Sequence, residues 1–276
     1  MTAPGPEFVD LDALAGRIGD GDDLAVAKAE CGAAMAATRR LIASGRRRLR
    51  LLTVPTSSLQ ADLLIGAGCV AEIETSGVSL GEHGQAPAFG RAVRAGALRV
   101  KDYSCPGIYA ALQAGEKGIP FMPLRGFIGS DLLAVRDDIK VVDNPYAGSS
   151  DPIALLPALR PGVALFHAPL ADARGNVWIG RHKPLMLLAH AAHRTLVTVE
   201  EIATFDLLDD PLYGPATIPS LYVSAIALAP GGAWPLGIGG RIDADAGEIA
   251  RYAALAATEE GFARYLDGFL RAEPAR

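Results

Sequence analysis

The sequence predicts an α/β fold with an open, mostly parallel, doubly wound sheet and helices flanking it. Short apolar runs alternate with amphipathic segments of helix length along most of the chain. The apolar runs are rich in Val, Ile and Leu without strict alternation, as in strands that are covered on both faces. Regular alternation of strand and helix is typical of a parallel sheet with crossover helices. We expect one such domain over 1–276, with a helical tail at about 244–276.

The strands of this sheet are predicted from runs of apolar and β-branched residues, each bounded by turn formers. The runs are 23–27, 49–54, 71–76, 98–103, 139–143, 162–170, 195–202 and 222–229. The segment 143–152 between two of them is dense in turn-forming residues, so we expect a mobile connector there.

Helices are predicted from amphipathic spacing and from end signals. The segments are 6–18, 31–45, 57–68, 85–96, 105–118 and 183–194, followed by a helical pair over 246–273 that breaks near 258–261. Ser57 is a good N-cap residue for the third segment. The second segment closes on Gly45, a residue type that favours the position after a helix end.

Composition and charge exclude several classes of function. The net charge is −5 and the pI is about 5.6, so there is no basic field for nucleic-acid binding. The apolar runs are far shorter than the roughly 20 residues that a membrane-spanning helix needs. The first 20 residues lack the features of a secretory signal. Cys31, Cys69 and Cys105 form no CxxC pair, so we expect reduced, buried thiols in a cytoplasmic protein.

The histidines do not predict a metal site. His190 and His193 are three residues apart and HExxH is absent, so we expect no bound metal. His167 lies in an apolar strand and is expected to be a hydrogen-bonded core residue, whereas His182 is expected to face solvent. The chain has no Walker loop and no GxGxxG after its first strand, and the late glycine-rich stretch 236–241 is predicted to be a flexible turn.

The turn that follows the strand at 71–76 carries two titratable groups. Glu82 and His83 lie between Gly81 and Gly84, just before a predicted helix. Ligands of open α/β sheets bind beyond the carboxyl ends of the strands, and glycine allows the backbone to approach them closely. The first amides of the helix would then be free to donate to an anion. Alternatively, the turn is an ordinary surface loop, or Glu82 caps the helix that follows.

Five segments in order carry a resemblance to the α subunits of family I CoA-transferases, the group that includes the α chain of glutaconate CoA-transferase. They include GAGCVAEIETSGVSLGEHGQAPAFGRAV, GIPFMPLRGFIGSDL, ALFHAPLADARGNVWIG and TVEEI. The full segments are 66–104, 110–132, 164–180, 198–202 and 217–235. The resemblance runs from about 11 to about 235, which is most of the chain.

The resemblance implies the α/β fold shared with sugar-phosphate isomerases, and transfer of CoA between carboxylic acids through a glutamyl-CoA thioester. In two-chain members the nucleophilic glutamate lies in the β subunit, in an S-E-N-G-like motif that this chain lacks. A β-type partner in an α2β2 assembly is therefore expected. CoA is implied as a cosubstrate, with acyl-CoA and carboxylic acids as substrates and no permanently bound cofactor.

The resemblance also implies site residues. Glu82 is the best match for a glutamate that matters in hydrolytic relatives, with His83 adjusting its charge state, or else it orients substrate for the partner's glutamate. Gly81 and Gly84 would shape this turn. Glu30 lies in the stretch KAEC, where the family usually has a G-G-F loop. The absence of that glycine pair argues against ordinary CoA transfer and indicates a specialised branch of the family.

Three further residues complete the predicted site: Ser104, either a polar contact or a helix N-cap, and Gly126 and Gly129 through their backbone. Asn176 is expected to be a hairpin turn residue.

Two alternatives remain open beside transfer. One is a hydrolase of CoA thioesters or of ring C–C bonds on the same scaffold, with Glu82 as base. The other is a non-catalytic subunit that supports its partner.

Overall fold

A computed structural model describes residues 5–272 of the chain. Its main sheet has ten strands and follows the order β1-β13-β11-β9-β2-β3-β4-β5, with β10 and β12 paired antiparallel at its side. The bounds are β1 Glu7–Phe8, β2 Asp23–Val26, β3 Leu49–Thr53, β4 Val70–Thr75, β5 Arg99–Asp102, β9 Val163–Asp172, β10 Val177–Trp178, β11 Arg194–Ala203, β12 Thr217–Ile218 and β13 Ala225–Leu228. All neighbours along the main path are parallel, so the predicted fold class is confirmed.

Helices cover both faces of this sheet. The bounds are α1 Leu11–Gly16, α2 Met35–Ala43, α3 Leu59–Gly66, α4 Pro87–Arg94, α5 Cys105–Lys117, α6 Leu132–Val135, α7 Pro184–Ala191, α8 Ala246–Leu255 and α9 Glu259–Arg271. One core cluster joins α1 to α4 with α8 and α9, and the other joins α5 and α7 with the opposite face. β9 lies between the two layers and all ten of its residues are buried, which explains its continuous apolar run.

The predicted strand at 139–143 does not belong to the main sheet. It forms β7 (Lys140–Asp143) of a separate antiparallel sheet with β6 (Phe121–Leu124) and β8 (Pro152–Pro157). Neither β6 nor β8 was predicted, because a proline lies inside β6 and prolines stand at both ends of β8, which weakens the strand signal. The expected connector at 143–152 turns β7 back into β8.

Several predicted helix ends are wrong. Ser57 is not the N-cap of α3: Ser58 holds that position, and the Ser57 side chain is buried. The segment 6–18 divides into β1 and a short α1, whose N-cap Asp10 accepts a hydrogen bond from the Ala13 amide at 2.7 Å. The segment 31–45 becomes helical only at Met35, because Gly32 adopts a positive φ of 90°.

The C-terminal helices pack on the chain's own core. The predicted break is confirmed, since Thr258 caps α9 by accepting from the Gly261 amide at 3.0 Å. Arg39 in α2 donates to the Phe269 carbonyl at 2.7 Å and lies over its ring. The limits 1–4 and 273–276 of the expected domain lie outside the described residues. Within residues 5–272, no helix is both long and apolar enough to span a membrane.

Candidate functional site

A cavity of about 500 Å³ opens at the carboxyl edge of the main sheet. Its walls are the loops that follow β2, β3 and β4, closed on one side by the beginning of α8. The lining residues are Lys28, Ala29, Glu30, Thr56, Ser57, Ser58, Ser79, Leu80, Gly81, Glu82, His83, Leu236, Ala244, Ala246 and Ile249. This is the place where open α/β sheets bind ligands, and two carboxylates, an ammonium, an imidazole and several hydroxyls meet there.

The turn that carries Glu82 forms part of this cavity. Gly81–His83 make one turn of 3₁₀-helix, closed by a bond from the Leu80 amide to the Gly84 carbonyl at 2.9 Å. Gly81 and Gly84 have φ of 64° and 97°, which other residues rarely adopt. Gly81 lines the cavity, whereas Gly84 closes the turn behind it. The Glu82 side chain is 84% exposed, and its Oε1 lies 3.8 Å from Nε2 of His83.

The helix after this turn does not offer free amides to a ligand. Asp62 of α3 accepts from the amides of Ala88 and Phe89 at 3.2 and 2.6 Å, and from the Tyr252 hydroxyl at 2.5 Å. The first turn of α4 is therefore already satisfied by a buried carboxylate. The prediction that these amides donate to an anion is therefore wrong. The alternative prediction that Glu82 caps α4 is also wrong, because Asp62 accepts the hydrogen bonds of its first turn.

The loop that carries Glu30 is fixed from two sides. The Glu30 carbonyl accepts from the Gly239 amide at 2.8 Å, so the predicted turn at 236–241 is tied to the cavity wall. On the other side, the His167 amide donates to the Gly32 carbonyl at 2.7 Å. A Cβ at Gly32 would lie 2.1 Å from the carbonyl oxygen of His167, so only glycine fits there. The KAEC stretch thus has its own packed geometry without the family's glycine pair.

Behind this loop lies a buried polar network that sequence reasoning only partly anticipated. The His167 ring contacts Thr198 Oγ1 at 2.8 Å and Glu200 Oε1 at 2.6 Å, which confirms a hydrogen-bonded core histidine. The other Glu200 oxygen accepts from the Gly231 amide at 2.7 Å. Burial acts to raise the pKa of Glu200, but these hydrogen bonds outweigh it and hold the pKa below its ordinary value. The signal in the sequence was TVEEI, whose first glutamate is Glu200.

Three predicted site residues lie elsewhere. Ser104 is the N-cap of α5 and accepts from the Gly107 amide at 3.2 Å, which supports the capping interpretation. Gly126 and Gly129 lie in the loop between β6 and α6, whose Phe127 packs edge-on against Tyr103. None of the three lines the cavity described above.

The structure confirms some predictions for other side chains and contradicts others. His182 is buried rather than facing solvent, and burial, with Arg181 beside it, lowers its pKa. Cys69 is buried as expected, but Cys31 is half-buried and Cys105 is exposed. Asn176 confirms its structural role, since it is buried and donates to Asp172 at 2.8 Å.

Sequence reasoning missed the hydroxyl wall of the cavity. Thr56, Ser57 and Ser58 line it in a row after β3. Ser57 Oγ has no hydrogen-bond partner among the described residues. The run TSS reads as an ordinary helix start, so its sequence position gave no sign of a second role.

Comparison with known proteins decides the family. The coenzyme A transferase family profile matches residues 11–229. The chain belongs to the coenzyme A transferase family. The A-type subunit of the 3-oxoadipate CoA-transferase of Pseudomonas knackmussii is 33% identical over 261 residues, covering 92% of this chain and 89% of its own. The predicted α-subunit-type CoA-transferase chain is thereby confirmed.

Other proteins similar to this chain carry several activities in their names. The glutaconate CoA-transferase of Acidaminococcus fermentans superposes with a TM-score of 0.88 at 28% identity, covering 95% of this chain and 88% of its own. The AibA/AibB decarboxylase variant superposes with a TM-score of 0.87 at 32% identity, covering 98% of this chain and all of its own. The cholesterol ring-cleaving hydrolase IpdA subunit of Mycobacterium tuberculosis is 28% identical over 244 residues, covering 86% of this chain and 83% of its own.

Proposed function

We propose that this chain is the α-type subunit of a two-chain enzyme that moves CoA between carboxylic acids, and that a β-type partner supplies the glutamate that carries the thioester. The observation that supports this most directly is the position of Glu82. It lies at the rim of the cavity and its side chain is 84% exposed. A carboxylate so well solvated is a poor nucleophile until a second surface removes the water around it.

The chemistry explains why the cavity needs a second wall. A carboxylate oxygen attacks the thioester carbonyl of acyl-CoA and the C–S bond breaks, which gives a mixed anhydride and CoA thiolate. The thiolate then attacks the glutamyl carbonyl, releases the acyl group as its carboxylate and leaves a glutamyl-CoA thioester. Water would hydrolyse both intermediates, so the reaction requires a closed site. We infer that the partner closes the open side of this cavity, with α2β2 as the expected assembly and the cytoplasm as the expected location.

This chain contributes orientation and charge. Lys28 offsets the negative charge that develops on the thioester oxygen or on the departing carboxylate. Glu82, with His83 beside it, accepts a hydrogen bond from substrate and holds the acyl group toward the partner's glutamate. Glu30 forms the opposite wall, where the Gly239 amide holds its backbone. CoA is the cosubstrate, and a permanently bound cofactor is not required by this chemistry.

The experiment combines the purified chain with its β-type partner and an acyl-CoA, with and without a carboxylate acceptor. Transfer predicts turnover only with an acceptor. Glu82→Gln is expected to lower kcat about tenfold, the loss of one charge-assisted hydrogen bond, while the glutamyl-CoA adduct still forms. Glu260→Gln on the exposed face of α9 is the matched control and should leave kcat unchanged. Release of free CoA without an acceptor would contradict transfer.

A hydrolase on the same scaffold is the second candidate. The similarity to the IpdA subunit favours it, as does the KAEC loop in place of the glycine pair. Here Glu82 removes a proton from water or from a carbon acid. Glu82→Gln is then expected to abolish acceptor-independent release of CoA by about 10²–10⁴-fold, the usual contribution of a general base. A stable complex without turnover in either assay would support a non-catalytic subunit instead.

A further inference from the structure

A second, smaller cavity lies on the other side of the loop that carries Glu30. It measures about 180 Å³ and is lined by the Trp178–His182 segment and the Ile238–Arg241 turn. Two arginines, Arg181 and Arg241, enter it from these two segments. Pro169 of β9 also lines it, and β9 continues well past the end of β2, so this cavity lies at the same edge of the sheet as the larger one.

Both guanidinium groups are held in place by neutral surfaces. The Arg181 guanidinium lies flat against the glycine turn: a Cβ on Gly240 would be 2.9 Å from its Cζ, and one on Gly239 would be 3.3 Å from Nη2. The Arg241 guanidinium lies over the Trp178 ring, 5.3 Å from its centroid. The chain thus positions two cations without neutralising them.

No carboxylate of the described part of the chain pairs with either arginine. Within residues 5–272, no Asp or Glu oxygen comes within 4.0 Å of a nitrogen of Arg181 or Arg241, although most of the arginines in that range form such pairs. Burial, with Arg181 beside it, lowers the pKa of the adjacent His182 imidazole and so disfavours its charged form. Guanidinium groups present several N–H donors that match phosphate and carboxylate oxygens. The cavity therefore has the charge and size for one small anionic group.

We infer that Arg181 and Arg241 bind a phosphoryl group of CoA, while the thioester end of the same molecule occupies the larger cavity. This inference rests on the proposed function for the identity of the anion. The two cavities share a wall, since Gly239 lines the smaller one and donates to the carbonyl of Glu30, which lines the larger one. CoA carries its phosphoryl groups and its thiol at opposite ends of a flexible arm. One CoA molecule can thus follow the carboxyl edge of the sheet across both sites.

Calorimetric titration of the full chain, alone and with its β-type partner, tests this with three probes: CoA, dephospho-CoA and pantetheine, which carries no phosphoryl group. The wild type is expected to bind CoA at least tenfold more tightly than pantetheine. Arg181→Gln and Arg241→Gln should each weaken CoA binding about tenfold and leave pantetheine binding unchanged, since each removes one charge-assisted contact. Dephospho-CoA distinguishes the terminal phosphate from the pyrophosphate.

Arg94→Gln is the matched control, because Arg94 is exposed on α4 and its loss changes the net charge equally. It should bind CoA within twofold of wild type. The inference is overturned if the arginine variants bind CoA as the wild type does, or if pantetheine binding weakens equally. Because binding is measured without turnover, arginine-dependent CoA binding in an enzyme that transfers nothing would reject the proposed function and retain this inference.

Discussion

Replacement of Asp62 by alanine should destabilise the protein strongly, because this buried carboxylate satisfies three donors. The Ala88 and Phe89 amides and the Tyr252 hydroxyl all donate to it. A buried donor left unpaired costs about 1–3 kcal/mol, so we expect Asp62→Ala to lower the free energy of unfolding by about 3–5 kcal/mol. Tyr252→Phe removes only one of the three bonds and should cost about 1–2 kcal/mol.

The pH dependence of this loss has a defined sign. Burial is the largest influence on Asp62 and raises its pKa above the ordinary value of 3.8, despite the hydrogen bonds that oppose it. Because the pKa of Asp62 is raised in the folded state, its protonation stabilises the folded state. This stabilisation is fully present below pH 3.8 and is lost as the pH rises through the folded-state pKa. The stability advantage of wild type over Asp62→Ala should therefore shrink as the pH rises from about 3.8.

Urea unfolding of wild type, Asp62→Ala and Tyr252→Phe across this pH range measures both quantities. The difference between proteins cancels the titration of other groups. A loss below about 1 kcal/mol for Asp62→Ala, the lower limit for a single unpaired donor, would refute the capping account of α4. An advantage that grows with rising pH would refute the assigned influence of burial.

Three further predictions concern the neighbourhood of the site. Gly32→Ala should displace the Glu30 loop, because the new Cβ would lie 2.1 Å from the His167 carbonyl oxygen. We expect both the melting temperature and the activity to fall, and an unchanged melting temperature would contradict this. Glu200→Gln should cost more stability at neutral pH than at low pH. The lowered pKa of Glu200 gives stability that is present above pH 4.5 and is lost as the pH falls through the folded-state pKa. Urea denaturation of both proteins at the two pH values checks this. Iodoacetamide should modify the exposed Cys105 rapidly and the buried Cys69 only after unfolding, and mass spectrometry of timed samples would show any reversal of that order.

The main sheet could be predicted well from the sequence because buried parallel strands have a strong local signal. β9 is a nearly continuous apolar run and β11 is rich in β-branched residues, and each lies within two residues of its predicted limits at both ends. The three-stranded sheet was not predicted, because its prolines weaken the strand signal of β6 and β8 and its partners are set by tertiary contacts.

The candidate site was predicted only where one segment carries the whole signal. The turn at 81–84 stands out through its glycines and its two titratable groups, and its first three residues line the cavity at the carboxyl edge of the sheet. The role of Asp62 could not be predicted, because it depends on contact between α3, the start of α4 and Tyr252, which is 190 residues away along the chain. The hydroxyl row after β3 was hidden in the same way, since it resembles an ordinary N-cap sequence.

The central claim is that this chain forms one half of a thioester-processing cleft and that its partner brings the nucleophile. The most direct measurement is mass spectrometry of both chains after the working two-chain enzyme is treated with acyl-CoA and then with hydroxylamine or borohydride. We expect a modified glutamate in the partner chain and unmodified Glu30 and Glu82. A modified Glu30 or Glu82, or full turnover by this chain without a partner, would contradict it.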